Sequence, residues 1–149
     1  MYKGDLAILE QPDKIKVFTK KGGNYIYKDT KWLSIGKYIS IFKSGIFFDQ
    51  KIILAGFEQN SNFDNNKIDY YRIRILNDSG KFLKYLLKDE AKGVEFYPIM
   101  QMNAFLVDSR HNSVFYLIEN RLNVVEISSN MEITRQQVLE APKFYKSMP

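Results

Sequence analysis

Hydrophobic and polar residues alternate along residues 70–87, YYRIRILNDSGKFLKYLL, with one break at Asn-Asp-Ser-Gly. A period of two places successive side chains on opposite faces of an extended strand. A polar break that contains Gly lets two such strands pair through a tight turn. The stretch therefore predicts a β-hairpin. The segment 81–91, which begins in the second half of this stretch, also fits one apolar face of a helix, but similar segments elsewhere in the chain favour the strand.

Shorter runs of the same kind follow one another along the chain, and turn-forming residues such as Lys21-Gly22-Gly23-Asn24 separate them. Lys43-Ser44 divides two of these runs. The further predicted strands cover residues 5–10, 15–18, 25–27, 38–42, 45–48, 52–57, 104–107, 114–118, 122–127 and 132–139. Short strands at this spacing are typical of antiparallel meanders. The sequence therefore predicts an all-β fold built from antiparallel meander sheets.

One phrase recurs in the N-terminal, middle and C-terminal parts of the chain. IKVFTKKGG (15–23), IRILNDSGK (73–81) and VEISSNMEI (125–133) each place a charged residue between two β-branched residues and then enter a polar turn. Another apolar strand lies upstream of each copy. Repeats that contain several short strands are a sequence signature of propeller blades.

On these residues the chain resembles six-bladed β-propellers of the NHL or TolB-like kind. AFLVDSRHNSVFYLI (104–118) is similar to the inner-strand phrase of such blades, with Asp108 ending the first strand. The resemblance implies one β-repeat domain over residues 1–149 that forms a partial β-propeller of about three blades. The blade-like units are residues 5–31, 38–88 and 96–139, followed by a tail at 141–149.

Closed propellers contain about 4–8 blades, so a set of about three leaves sheet faces and edges open. The resemblance therefore leaves three arrangements open. The chain is part of a longer one, two copies close a six-bladed ring, or the sheets pack instead as a β-sandwich or barrel. The first blade-like unit lacks one strand, which in a propeller would come from a partner or from another segment.

The net charge of +5 is concentrated in the N-terminal third of the chain. The candidate anion patch comprises Lys14, Lys16, Lys20 and Lys21, with Lys28 and Lys31 nearby. Such a patch can contact phosphate or anionic lipid. A solvated sheet face is the simpler interpretation, because Lys also protects exposed strand edges. In addition, residues 1–50 contain no Arg, which binds phosphate with two donors at once.

Candidate chemistry is sparse. The absence of Cys excludes disulfides, thiolate chemistry and zinc sites built on Cys. His111 is the only histidine, and its position in a polar turn indicates a turn residue. The loop at residues 60–66 carries Asp64 and several amides but lacks the ligand spacing of a calcium loop. We therefore expect no cofactor, and a non-catalytic role is favoured over an enzymatic one.

Paired aromatic residues in extended segments place one ring on each face, so some rings are expected at the surface. Rings beside Arg or Lys suit a protein partner, a sugar or a stacked base. The candidate interaction surface comprises Tyr71, Arg72, Tyr97, His111, Tyr145 and Lys146.

These features predict a non-catalytic protein-binding or assembly module, with a protein partner or a second copy of the chain as its ligand. The same features allow two alternatives. One is a fragment of a carbohydrate-binding or hydrolytic propeller, and the other is a nucleic-acid or anionic-surface binder that uses the basic N-terminal third. No signal peptide or membrane-spanning apolar run is visible, and the compartment is not predicted.

Overall fold

The computed structural model describes residues 6–10, 13–34, 40–59, 67–92, 103–118 and 123–139. These residues form eleven strands and no helix, which confirms the prediction of an all-β fold. In chain order the strands are β1 (Leu6–Glu10), β2 (Lys14–Lys21), β3 (Asn24–Trp32), β4 (Ser40–Phe48), β5 (Lys51–Gln59), β6 (Lys67–Asn77), β7 (Phe82–Lys92), β8 (Asn103–Asp108), β9 (Ser113–Ile118), β10 (Asn123–Ser128) and β11 (Ile133–Val138).

The strands form three antiparallel sheets, numbered here in chain order. Sheet 1 has the strand order β1-β2-β3, sheet 2 has β4-β5-β6-β7, and sheet 3 has β11-β10-β9-β8. Neighbours in each sheet are neighbours in the chain, so all three are meanders, as the sequence predicted. Within the described residues each sheet ends in two edge strands, and none is closed into a barrel. The chain divides into two compact units, Met1–Ile99 with sheets 1 and 2 and Met100–Pro149 with sheet 3.

The hairpin of β6 and β7 turns at Asn-Asp-Ser-Gly, where the sequence predicted it. The Asn77 Oδ1 atom accepts hydrogen bonds from the backbone N–H groups of Ser79 at 3.1 Å and Lys81 at 2.9 Å. Gly80 has a φ of 87°, a left-handed conformation that Gly adopts without steric cost. Because residues 82–92 pair along β6, the helical alternative for this segment is wrong.

Residues 40–48 differ from the prediction of two separate strands. They form the single strand β4, whose register with β5 shifts between Phe42 and Ser44. Lys43 is the extra residue at this β-bulge, and its side chain is exposed. A bulge bends a strand without ending it. The polar pair in the sequence therefore marks an irregularity within one strand and not a turn between two.

In the first unit, sheet 1 packs on sheet 2 through a shared hydrophobic core. The buried members of this core are Ile15, Val17, Leu33, Phe42, Ile52, Leu54 and Leu76. The backbone N–H of Ser34 also donates to the carbonyl of Gly80 at 2.9 Å, which ties the end of β3 to the β6–β7 turn. One face of sheet 1 therefore packs in the core, and the other face of the sheet points away from the core.

In the second unit, sheet 3 buries the side chains on one of its faces. Val114, Tyr116 and Ile118 on β9 and Val125 and Ile127 on β10 are all buried. The register of β9 and β10 explains why these side chains lie on one face, because residues directly opposite each other on antiparallel strands share a face. The outer strand β11 is different, since all six of its residues are exposed.

Candidate interaction surfaces

The face of sheet 1 that points away from the core carries lysines and aromatic rings. Alternation along β2 directs Ile15 and Val17 into the core and the intervening residues to the other face. The cross-strand pairs on that face are Lys14–Trp32, Lys16–Thr30, Phe18–Tyr27 and Lys20–Tyr25. We call the surface formed by Lys14, Lys16, Phe18, Lys20, Tyr25, Tyr27 and Trp32 the aromatic–lysine face.

Contacts between side chains confirm that these residues share one face. The Lys14 Nζ atom lies 5.6 Å from the centre of the Trp32 ring, within the range of a cation–π interaction. The Phe18 and Tyr27 rings meet edge to face, with centroids 5.9 Å apart. The hydroxyl groups of Tyr27 and Thr30 are hydrogen-bonded at 2.8 Å. Trp32 is nevertheless 64% exposed and Tyr27 56%, so both rings are available at the surface.

A β-bulge in β3 creates this arrangement. The register between β2 and β3 shifts between Val17 and Phe18, which leaves Lys28 as the extra residue. Strict alternation would direct Tyr27 and Trp32 to opposite faces, because five positions separate them. The extra residue restores them to one face. No period-two pattern in the sequence could therefore have assigned Trp32 to the same surface as the tyrosines.

Glu10 lies at the border of the aromatic–lysine face. Its Oε2 atom is 3.4 Å from the Nζ atom of Lys14 and 3.2 Å from that of Lys16. The hydrogen bond from Lys16, followed by the charge of Lys14, holds the pKa of the Glu10 carboxyl below its usual value. Of the predicted anion patch, Lys14, Lys16 and Lys20 lie on this face, whereas Lys21 ends β2 at the turn opposite Asn24.

Arg72, predicted for an interaction surface, is 3% exposed and bound inside the chain. Its Nε and Nη2 atoms donate to Asp89 Oδ2 at 2.9 and 2.7 Å, and Nη2 also donates to the Tyr70 hydroxyl at 2.9 Å. The neighbouring Tyr71 is half-buried and stacks on Tyr85, with ring centroids 4.4 Å apart. The Tyr71-Arg72 pair therefore joins strands within sheet 2.

A second buried charge network, which the sequence did not suggest, lies in the same sheet. Arg74 Nη1 donates to both carboxylate oxygens of Glu58 at 2.7 Å, and the Tyr85 hydroxyl donates to Glu58 Oε1 at 2.6 Å. Glu58 is 1% exposed and Arg74 2%. Burial, followed by the hydrogen bond to Glu58, raises the pKa of Tyr85 to about 12. This network joins β5, β6 and β7, and both of its charged side chains are buried.

His111 lies in the exposed turn between β8 and β9 and has one orienting partner. Its Nδ1 atom is 2.6 Å from Asp108 Oδ2, while Asp108 Oδ1 accepts the backbone N–H groups of Arg110 at 2.9 Å and His111 at 3.3 Å. The hydrogen bond with Asp108 raises the pKa of His111, and the same contact lowers the pKa of Asp108. These hydrogen bonds all lie within the β8–β9 turn, and they stabilise that turn.

Sheet 3 has one shallow depression among the described residues that bears on metal binding or glycoside chemistry. The depression is lined by Phe115, Val124, Glu126, Arg135 and Gln137. Its lining contains one carboxylate, whereas glycoside hydrolysis typically uses a pair. Across the described ranges, no group of three or more His, Asp and Glu side chains could hold a metal ion.

Several predicted features lie outside the described residues, namely Tyr97, Tyr145, Lys146 and the polar loop at residues 60–66. In the parts of the chain that the structure describes, no helix has the length and apolar character needed to cross a membrane.

Comparison of the chain with protein-family models, with curated proteins and with solved structures finds no match.

Proposed function

We propose that this protein is a non-catalytic assembly module, built from propeller-like blades, that binds a second copy of itself. Each sheet is an antiparallel meander of three or four strands, as propeller blades are. Sheet 1 has three strands, in keeping with a first blade that lacks one strand. The observation that carries the proposal is the edge strand β11.

Strand β11, ITRQQV, lies at the border of sheet 3 with no described strand on its outer side. Natural proteins usually protect such edges with Lys, Pro or short strands, because an unpaired backbone edge accepts a further strand. All six side chains of β11 are exposed, none of them is Lys or Pro, and Arg135 is the one charged residue of the strand. The edge strand β3, in contrast, carries Lys28 and Lys31. The edge strands β1 and β8 also contain no Lys or Pro, but both include half-buried residues. Exposure along its whole length therefore favours β11 as the edge that pairs.

A second copy would add its own β11 in antiparallel orientation. Residues Arg135 to Val138 keep continuous register with β10, so their outer backbone groups follow a regular strand. A two-fold axis between Gln136 and Gln137 would place Arg135 opposite Val138 of the second copy. This pairing brings no like charges together and uses the same surface on both molecules, as a symmetric dimer requires.

The test is the absolute mass of the full chain in solution, by light scattering during gel filtration over a range of concentrations. We expect a species of twice the single-chain mass of 17.5 kDa. Val138→Lys should shift it to the monomer, because each new lysine would lie opposite Arg135 of the other copy and repel it. Leu106→Lys is the matched control, since Leu106 is 67% exposed on the opposite edge strand β8 and Val138 is 69% exposed.

A well-folded monomer at every concentration would overturn the proposal. So would a dimer that Val138→Lys leaves intact, because the contact would then lie elsewhere.

A further inference from the structure

The aromatic–lysine face of sheet 1 is a second surface, which assembly through β11 does not use. We infer that this face binds single-stranded nucleic acid. Bases stack on the rings of Tyr25, Tyr27 and Trp32, and the phosphates lie on the lysines of β2. The inference goes beyond the proposed assembly and does not depend on it.

The lysines indicate an anionic ligand. Lys14, Lys16 and Lys20 form a row along β2 on the same side of the sheet, opposite Trp32, Thr30 and Tyr25 of β3. The described part of sheet 1 holds more lysines than carboxylates, so its charge is positive. The cores of protein–protein interfaces are depleted in Lys. A surface that has a row of lysines beside a row of aromatic rings therefore suits a polyanion better than it suits an apolar protein patch.

The rings indicate that the polyanion carries flat, unpaired bases. Tyr25 and Tyr27 are two positions apart on one strand, which separates their Cα atoms by about 7 Å. Trp32 lies further along the same strand, and the nine residues of β3 extend over about 30 Å. Sequence-tolerant binders of single strands combine a basic track with such stacking rings, at about 4–16 nucleotides per site. A duplex keeps its bases stacked on one another and offers these rings nothing to stack on.

The contacts within the face keep part of it organised before a ligand arrives. The edge-to-face packing of Phe18 and the hydrogen bond with Thr30 restrict the Tyr27 ring. Lys14 lies over Trp32, which leaves the opposite surface of the indole accessible. The Glu10 carboxylate holds Lys14 and Lys16 and therefore competes with a phosphate for them.

Trp32 is the only tryptophan of the chain, so its intrinsic fluorescence reports on this face alone. The experiment titrates the full chain with oligothymidylate and with oligouridylate of about 15 nucleotides at low salt. We expect saturable quenching of Trp32 emission. Contact with three phosphates predicts a salt slope of about −2, so a tenfold rise in salt should weaken binding about 100-fold. The ratio of the two affinities identifies DNA or RNA as the preferred strand.

Variants separate stacking from simple charge attraction, with binding read from the anisotropy of a labelled oligonucleotide. Tyr27→Ala and Trp32→Ala should each weaken binding about 5- to 150-fold, and Trp32→Phe should restore most of it. Lys16→Ala should reduce the salt slope by about 0.7. Lys81→Ala and Leu83→Ala, exposed positions on the β6–β7 hairpin of sheet 2, are the controls and should change little. Glu10→Gln should tighten binding, since it frees two lysines.

Several results would overturn the inference. One is the absence of quenching and of any anisotropy change at low salt. Another is binding that Trp32→Ala and Tyr27→Ala leave unchanged, because charge alone would then explain it. A third is a blue shift of Trp32 emission with phosphatidylserine vesicles but no oligonucleotide binding, which would assign the face to a membrane surface. Loss of self-association in Trp32→Ala without nucleic-acid binding would assign it to a protein contact. Far-UV circular dichroism checks that each variant is folded.

Discussion

Replacing Glu58 with Gln removes one charge from the centre of sheet 2 and keeps the shape of the side chain. Arg74, which is 2% exposed, would then lose the carboxylate whose two oxygens now accept hydrogen bonds from its Nη1 atom at 2.7 Å. The Tyr85 hydroxyl would lose its charged acceptor as well. A buried cation without a counter-charge is costly, because water cannot replace the lost interaction.

Breaking a buried ion pair by removing one partner costs about 3–5 kcal/mol. The Arg74 guanidinium keeps its ring contacts, at 5.2 Å from the Phe82 centroid and 5.8 Å from that of Tyr85. These contacts moderate the loss, so we expect about 3 kcal/mol for Glu58→Gln. Small domains have unfolding free energies of about 5–15 kcal/mol, and the change would therefore remove a large share of the total.

Urea unfolding followed by far-UV circular dichroism measures this loss. With a slope of about 1–3 kcal/mol/M, the midpoint should fall by about 1–3 M. Asp69→Asn is the matched control. It breaks an ion pair of the same 2.7 Å separation, in which the Lys88 side chain is 54% exposed. An exposed pair contributes about 0–1 kcal/mol.

A double-mutant cycle with Arg74→Met completes the test. Removing both charges should cost less than the sum of the single changes, because the double variant leaves no unpaired cation. A loss below about 1 kcal/mol for Glu58→Gln, with no coupling to Arg74→Met, would refute the reasoning. The pair would then behave as a solvated surface pair.

Two further predictions concern turns. Gly80→Ala should destabilise the protein clearly more than Gly23→Ala in urea unfolding. The two glycines have nearly equal φ values of 87° and 86°, so the backbone strain of the two changes is similar. A Cβ atom at Gly80, however, would overlap the carbonyl oxygen of Trp32, whereas one at Gly23 would meet no atom within 4 Å. Equal losses would contradict the packing of sheet 1 on the β6–β7 turn. The imidazole of His111, followed by NMR, should titrate above 6.5, and Asp108→Asn should lower its midpoint. Protonated His111 contributes its full stabilisation of the turn below pH 6.5, and this contribution is lost as pH rises through its raised pKa. Ionised Asp108 contributes its full stabilisation above pH 3.8, and this contribution is lost as pH falls through its lowered pKa. A wild-type midpoint at or below 6.5 would show that the Asp108 contact is absent in solution.

The all-β class and the hairpin at residues 70–87 could be predicted because they depend on local signals. Period-two alternation and an Asn-Asp-Ser-Gly break determine both strands and the turn between them. The bulges at Lys28 and Lys43 could not be predicted in the same way. A bulge depends on how two strands pair and twist. Its consequence, the placement of Trp32 beside the tyrosines, was therefore missed.

The burial of the β6 arginines could not be predicted for a related reason. Alternation in YYRIRIL indicates a strand with a polar face toward solvent, yet Arg72 and Arg74 are both buried. Sheet 1 packs on sheet 2, and the charges are neutralised by Asp89 from β7 and Glu58 from β5. These partners lie 15 or more positions away in the sequence. Local pattern contains no information on such pairings, so burial of the arginines follows only from the tertiary structure.

The meander order of the three sheets has a consequence for how the chain folds. Among the described strands, every backbone ladder joins strands that are adjacent in the chain, and most of these ladders close through short turns. The entropy lost in closing each ladder is therefore small. Contacts between near neighbours favour rapid folding, which all-β chains with distant pairings do not achieve. The backbone hydrogen bonds of each sheet can form independently of those in the other two sheets. Amide hydrogen exchange should accordingly protect and release sheet 3 as a cooperative group distinct from sheets 1 and 2.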